Sequence, residues 1–86
     1  MYYVYIIYSD KLKTLYIGYT EDLKERMMRH NSGRSVFTSK GLPWTLAHYQ
    51  AFAEKDDAQT EERFLKTGKG RERISYLLKK FKEKNK

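Results

Sequence analysis

The sequence predicts a small α+β domain: a three-stranded antiparallel sheet with helices packed on it, in the order β-β-α-β-α-α. Three observations predict it. Residues 2–19 hold two apolar or aromatic runs parted by a short polar turn, as in a hairpin. A third such run, Trp44–Phe52, follows a loop marked by Gly33, Gly41 and the single Pro43. The remaining stretches repeat their apolar residues at helical spacing.

Tyr2–Tyr8 is apolar or aromatic throughout, which suits a strand covered on both faces. Its β-branched and aromatic content favours strand over helix. Ser9–Lys13 is a polar turn and Thr14–Tyr19 a second strand, which Gly18 brings towards its end. With Ser9–Leu12 as the loop, Tyr8 pairs with Lys13 and Tyr5 lies opposite Tyr16, so both phenols share one face. Asp22 followed by Glu25 has the form of a capping box. The helix it opens carries Leu23, Arg26, Met27 and His30 on one face, and Asn31-Ser32-Gly33 stops it.

Gly33–Pro43 reads as a loop. In the third strand, Trp44, Leu46 and Phe52 are expected on one face, with Ala47, Tyr49 and Ala51 on the other. Trp44 is read as packing rather than base stacking. Asp56 and Gln59 suggest a second capping box, opening a helix that runs to about Thr67, where Gly68 and Gly70 break it. Ile74, Leu77, Leu78 and Phe81 then form the apolar stripe of a last helix. Residues 1–82 are expected to make one domain, with 83–86 a disordered basic tail.

The net charge of +7 is unevenly spread. Residues 1–62 sum to −1, whereas residues 63–86 carry ten Lys or Arg against Glu72 and Glu83, giving +8. A segment that basic attracts polyanions, of which nucleic acid is the usual one; a solvated Lys-rich helix is the plainer alternative. With no cysteine, neither a disulfide framework nor a thiolate zinc site is available. The first residues have neither the length of a membrane span nor the layout of a signal peptide, so a cytoplasmic protein is expected.

Tyr16-Ile17-Gly18, with Tyr3-Val4-Tyr5 ten residues before it, resembles the paired triplets of the GIY-YIG nucleases. The second triplet matches letter for letter; in the first, Tyr3 stands where the family name has glycine. Arg26 is similar to the family's helical arginine, and His30-Asn31 to the His-Asn pair of its small members. Glu62, four positions after Ala58, is similar to its metal-binding glutamate. The resemblance covers residues 2 to about 66 and looks closest to small stand-alone bacterial members of the UPF0213 kind.

That resemblance implies a metal-dependent endonuclease hydrolysing phosphodiester bonds in DNA rather than RNA, selecting structure rather than sequence. It implies Tyr5, Tyr16, Arg26, His30 and Glu62 as catalytic residues, Gly18 as a structural one, and a single Mg²⁺ or Mn²⁺ on Glu62. The chemistry fits these residue types. Mg²⁺ keeps most of its waters and needs only one or two carboxylates. Arg26 stays charged and offers a planar fork of donors to a phosphoryl group. Tyr5 resembles the family's water-activating tyrosine, and as a base it needs its pKa lowered from about 10, a task for Arg26 and the metal.

Arg34, Thr38, Lys40 and Lys66 are candidates for contact with nucleic acid; no membrane and no small-molecule cofactor are expected. A homodimer would help so short a chain. The alternative function is a basic nucleic-acid-binding module whose nuclease site is vestigial. Each residue also has a plain reading: Tyr5 and Tyr16 as strand aromatics, Arg26 as a solvated helix residue, His30 as a helix end favoured by the dipole. Glu62 is preferred to Glu61 because it shares the side of Ala58 and Leu65, expected to face the sheet.

Overall fold

Tyr2–Ser9 forms strand β1, the middle strand of a sheet ordered β2-β1-β3, in the computed structural model, which describes residues 1–85. Strands β2 (Thr14–Thr20) and β3 (Trp44–Phe52) both run antiparallel to it. Its central place explains its unbroken apolar run. Val4 and Ile6 are buried in one layer, Tyr5 and Ile7 in the other.

The hairpin register differs from the expected one by two residues. Ser9 pairs with Thr14, leaving Asp10–Lys13 as the turn, so Tyr5 lies opposite Gly18 and Tyr16 opposite Ile7. The cause is Ser9, whose buried hydroxyl donates to the Gly41 carbonyl (2.7 Å) and accepts from the Leu12 amide (3.0 Å). That pins Ser9 inside the ladder and moves the four-residue turn one position along the chain. A shift of two residues preserves the faces, so Tyr5 and Tyr16 remain on one side as diagonal neighbours, ring centroids 6.4 Å apart. Gly18 sits inside β2 rather than ending it.

In β3 the faces switch midway. Ile7 pairs with Leu46 and Ile6 with His48, so Ala47 is the extra residue of a β-bulge. Trp44 and Leu46 consequently pack with Tyr5 and Ile7, while Ala47 and Phe52 pack with Val4 and Ile6. The expectation that Phe52 shares a face with Trp44 and Leu46 assumed an unbroken alternation, which the bulge removes.

Helix α1 (Leu23–Asn31) covers the Tyr5 layer through Leu23 and Met27. Asp22 caps it, accepting from the Glu25 amide at 3.0 Å, a bond worth about 1 kcal/mol. Glu25 pairs with Arg29 (2.9 Å), and the Asp22 amide goes to Thr20 instead, so only half of the expected box forms.

The other layer is covered by α2 (Lys55–Leu65), α3 (Gly68–Leu77) and α4 (Lys79–Lys84), through Ala58, Leu65, Ile74, Leu78 and Phe81. Helix α2 starts at Glu54 with no side-chain cap, so Asp56 is a first-turn residue rather than its cap. Gly68 and Gly70 open α3 rather than break a helix: Thr67 caps it by accepting from the Gly70 amide (3.1 Å). A Cβ on Gly70 would collide with the backbone of Phe64 and Leu65, so its bareness lets α3 turn tightly against α2. The last predicted helix is divided at Leu78, whose burial in the core marks the joint. Glu83 and Lys84 are helical and Asn85 follows as the C-cap; Lys86, the end of the expected tail, lies outside the described residues. No helix among the described residues is long and apolar enough to cross a membrane.

Leu65 is wholly buried among Val4, Ile6 and Ile74. Truncating it to Ala strips the packing from those neighbours and leaves a cavity. Leu65→Ala is expected to lower unfolding stability by about 2–5 kcal/mol, read as an earlier midpoint in urea without a change of slope.

Candidate active site

The α1 face predicted from its spacing carries the site. Arg26 and Met27 are half-buried and His30 fully buried, whereas Lys24, Glu25, Met28 and Arg29 face outward. His30 meets both phenols: its ring centroid is 5.7 Å from that of Tyr5 and 5.2 Å from that of Tyr16. Its Nε2 lies 2.8 Å from the Tyr5 hydroxyl and its Nδ1 2.8 Å from the Thr38 hydroxyl. The phenol is the more acidic partner, so it donates to Nε2. The ring proton then sits on Nδ1, which donates to Thr38 Oγ1.

Asn31 positions this group in a way the sequence does not announce. Its amide donates to the Trp44 carbonyl (3.1 Å) and accepts from the Trp44 amide (2.7 Å), clamping the end of α1 to the start of β3. An Asn at a helix end reads equally as a stop signal. The Trp44 indole, buried as packing, donates to the Thr38 carbonyl (2.7 Å) and fixes the loop that offers Thr38 to His30. Thr38, a candidate for phosphate contact, turns its hydroxyl inward and is 0% exposed.

Tyr5 reverses one expectation. Its pKa is pushed up to about 12, first by burial and then by the neighbouring Tyr16 phenol. The adjacent Arg26 guanidinium pulls it down, and Glu62 adds a small upward push. Burial outweighs the arginine, so the arginine by itself does not bring the Tyr5 pKa below its ordinary value. It is also 0% exposed, whereas Tyr16 is only partly covered. The Arg26 Nε is buried without a hydrogen-bond partner, an unmet donor beside the phenols. Burial, then Arg26 and Arg29, lower the His30 pKa and keep the ring neutral.

His48, on the other layer, is likewise held below the usual histidine range by burial and Arg73, with Glu61 opposing. Both rings are therefore harder to protonate folded than unfolded. Stability from them is intact above the unfolded pKa of about 6.5 and is lost as pH falls below it. The Tm is expected to drop between about pH 7.5 and about pH 5.5, above the range in which carboxylates titrate. A Tm flat across that interval would contradict it.

Glu62 lies on α2, whose Ala58 and Leu65 pack on the layer opposite Tyr5. Its carboxylate is nonetheless near enough to act on the Tyr5 phenol, which approaches the β2 edge of the sheet across Gly18. Glu61 points instead to Arg73 on α3, 3.6 Å away. Lys66 pairs with Glu62 at 3.1 Å, while Arg34 and Lys40 are exposed on the loop after α1.

The divalent ion implied by the resemblance fits Glu62. The carboxylate already attracts one cation, the Lys66 ammonium, and an exposed i,i+4 pair contributes only about 0.3–0.5 kcal/mol, so exchange for a divalent ion is easy. Among the described residues no three His, Cys, Asp or Glu side chains gather into a metal cluster, so Glu62 is the carboxylate that would hold the ion.

A family model described as the GIY-YIG catalytic domain matches residues 1–84. A UPF0213 protein of Streptococcus pyogenes serotype M5 is 38% identical over 84 residues, 95% of this chain and 90% of that protein. Another, from serotype M3, is 40% identical over 74 residues, 84% of this chain and 80% of that one. The solution NMR structure of a UPF0213 protein from Bacillus halodurans matches with a TM-score of 0.56 at 32% identity, covering 90% of this chain and 85% of that one. The paired triplets, the hairpin that carries them and the whole-length match agree: the chain belongs to the GIY-YIG catalytic domain family.

Proposed function

We propose that the protein is a metal-dependent endonuclease that hydrolyses phosphodiester bonds in DNA, selecting substrate structure rather than sequence. The observation that carries this reading is the meeting of Tyr5, Tyr16, His30 and Arg26 at one side of a hairpin edge that the Glu62 charge also reaches. Tyr16, the partly exposed phenol, meets the attacking water. Arg26, half-buried beside the phenols, offers its guanidinium to the phosphoryl oxygens as charge builds on them. Tyr5 and neutral His30 lie behind Tyr16. The proton released by the water is relayed through the phenols as Tyr5 gives its own to His30 Nε2, which ends as the imidazolium. A divalent ion held by Glu62 supplies charge stabilisation at the phosphate and leaving oxygen.

The test is incubation of the purified protein with flapped, branched and single-stranded DNA in Mg²⁺ or Mn²⁺. Specific cleavage of one structural class is expected, abolished by EDTA; substrates that stay intact would sink the reading.

A second reading, nucleic-acid binding without turnover, is favoured by the complete burial of Tyr5 and by the Glu62–Lys66 pair. It predicts tight binding that weakens by a log–log salt slope of about −0.9 per phosphate contacted, with no product in either metal.

A further inference from the structure

We infer that the crevice along the free edge of β2 is a docking groove for an unpaired DNA strand that leads into the candidate site. The choice of DNA rests on the nuclease reading above; the groove itself rests on different residues. Strand β2 is the outer strand of the sheet, and its edge, with α3 and α4, bounds a cavity of about 720 Å³. Lys13, Lys66, Arg71 and Lys82 line it, and among the described residues no acidic side chain does. Three of those four cations come from the +8 segment, and with Lys13 they make one concave surface positive. Such a surface complements a polyanion.

Aromatic surface selects among polyanions. Tyr8 and Phe81, packed edge to face with ring centroids 5.6 Å apart, line the same groove as the cations. Aromatic rings set among Lys and Arg hold unpaired bases, which stack on the rings while phosphates meet the charges. A paired duplex turns its bases inward and offers the rings nothing to stack on. Arg71 makes no ion pair among the described residues, and the pairs of Lys13 with Asp10 and Lys66 with Glu62 are local and exposed. A phosphate displaces them at small cost.

The groove also joins the site. Lys66 lines the groove while holding Glu62 at 3.1 Å. A strand passing Lys82 and Arg71 therefore arrives at the Glu62 carboxylate. The substrate class this selects is DNA with a single-stranded arm.

The test uses the full chain in EDTA, where nothing is cut, and the fluorescence anisotropy of a labelled oligothymidylate of about 12 nucleotides. The double variant Arg71→Glu, Lys82→Glu is expected to bind at least about tenfold more weakly. Its salt slope should be shallower by about 0.7 for each phosphate that the protein no longer neutralises. The wild type is expected to bind a blunt duplex of equal length more weakly than the single strand. Affinity unchanged in the double variant, equal affinity for the duplex, or displacement of the oligonucleotide by polyglutamate at equal charge would each overturn the groove.

Amide NMR of the wild type with the same oligonucleotide stands even if the double variant fails to fold. Shifts at residues 14–17 and 71–75 are expected, and shifts confined to α1 and residues 34–40 overturn the proposal. Binding in EDTA without cleavage in Mn²⁺ would leave the groove and remove the nuclease. Cleavage of armed substrates by a double variant that still binds normally would do the reverse.

Discussion

Arg26→Ala is expected to slow DNA cleavage by about 10²–10³-fold while leaving the Tm almost unchanged. The rate loss is the usual consequence of deleting a positioned donor to an oxyanion. The small change in stability follows from the same side chain: losing its contact with Tyr5 is offset by removing a buried Nε that has no partner. Arg26→Lys should rescue little, because an ammonium lacks the planar fork. Glu62→Ala is expected to leave no measurable cleavage in either metal, since the adjacent carboxylate of Glu61 is turned to Arg73. Single-turnover assays on a flapped duplex separate these effects from binding. Cleavage that survives in both variants would remove the assigned catalyst.

Gly18→Ala is expected to be the most damaging single methyl in the hairpin. A Cβ there would fall onto the hydroxyl end of the Tyr5 ring, among its Oη, Cζ and Cε1 atoms. The ring cannot swing aside, because it is 0% exposed and its hydroxyl is committed to His30. Overpacking of this kind costs about 1–3 kcal/mol, and displacing the phenol forfeits a buried hydrogen bond worth about 1 kcal/mol more. Each kcal/mol lowers the Tm of so small a domain by roughly 4–8 °C. In a Tyr5→Ala background the obstacle is gone, so the added cost of Gly18→Ala should nearly vanish. Equal costs in the two backgrounds would mean that the glycine serves something other than the tyrosine. The last letter of the second triplet is thus explained by the last letter of the first.

What was legible in the chain was local. The inward face of α1 follows from spacings of three and four residues, and the central place of β1 follows from its unbroken apolar run. The hairpin register was not legible, because it is decided by the hydrogen bond of Ser9 to Gly41, thirty-two residues away. The shared face of Tyr5 and Tyr16 survived only because the slip was even.

The inward turn of Thr38 and the raised pKa of Tyr5 depend on packing that no spacing encodes. Gly68 and Gly70 read as breakers because glycine usually is one. Here Gly70 answers to a close backbone approach made after the chain turns. The five side chains assigned to the chemistry were recognisable by type and resemblance; the ionisation of Tyr5 and His30 was not.

The bulge at Ala47 has a mechanical corollary. By reversing the strand's sidedness midway, one inserted residue makes β3 a seam stitched through both hydrophobic layers, Leu46 into one and Phe52 into the other. Neither layer can loosen without tugging the thread it shares with its neighbour. Amides of Leu46 and Phe52 should therefore lose hydrogen-exchange protection together, at one denaturant concentration, as a single foldon. Two separated openings would mean that the stitch does not hold.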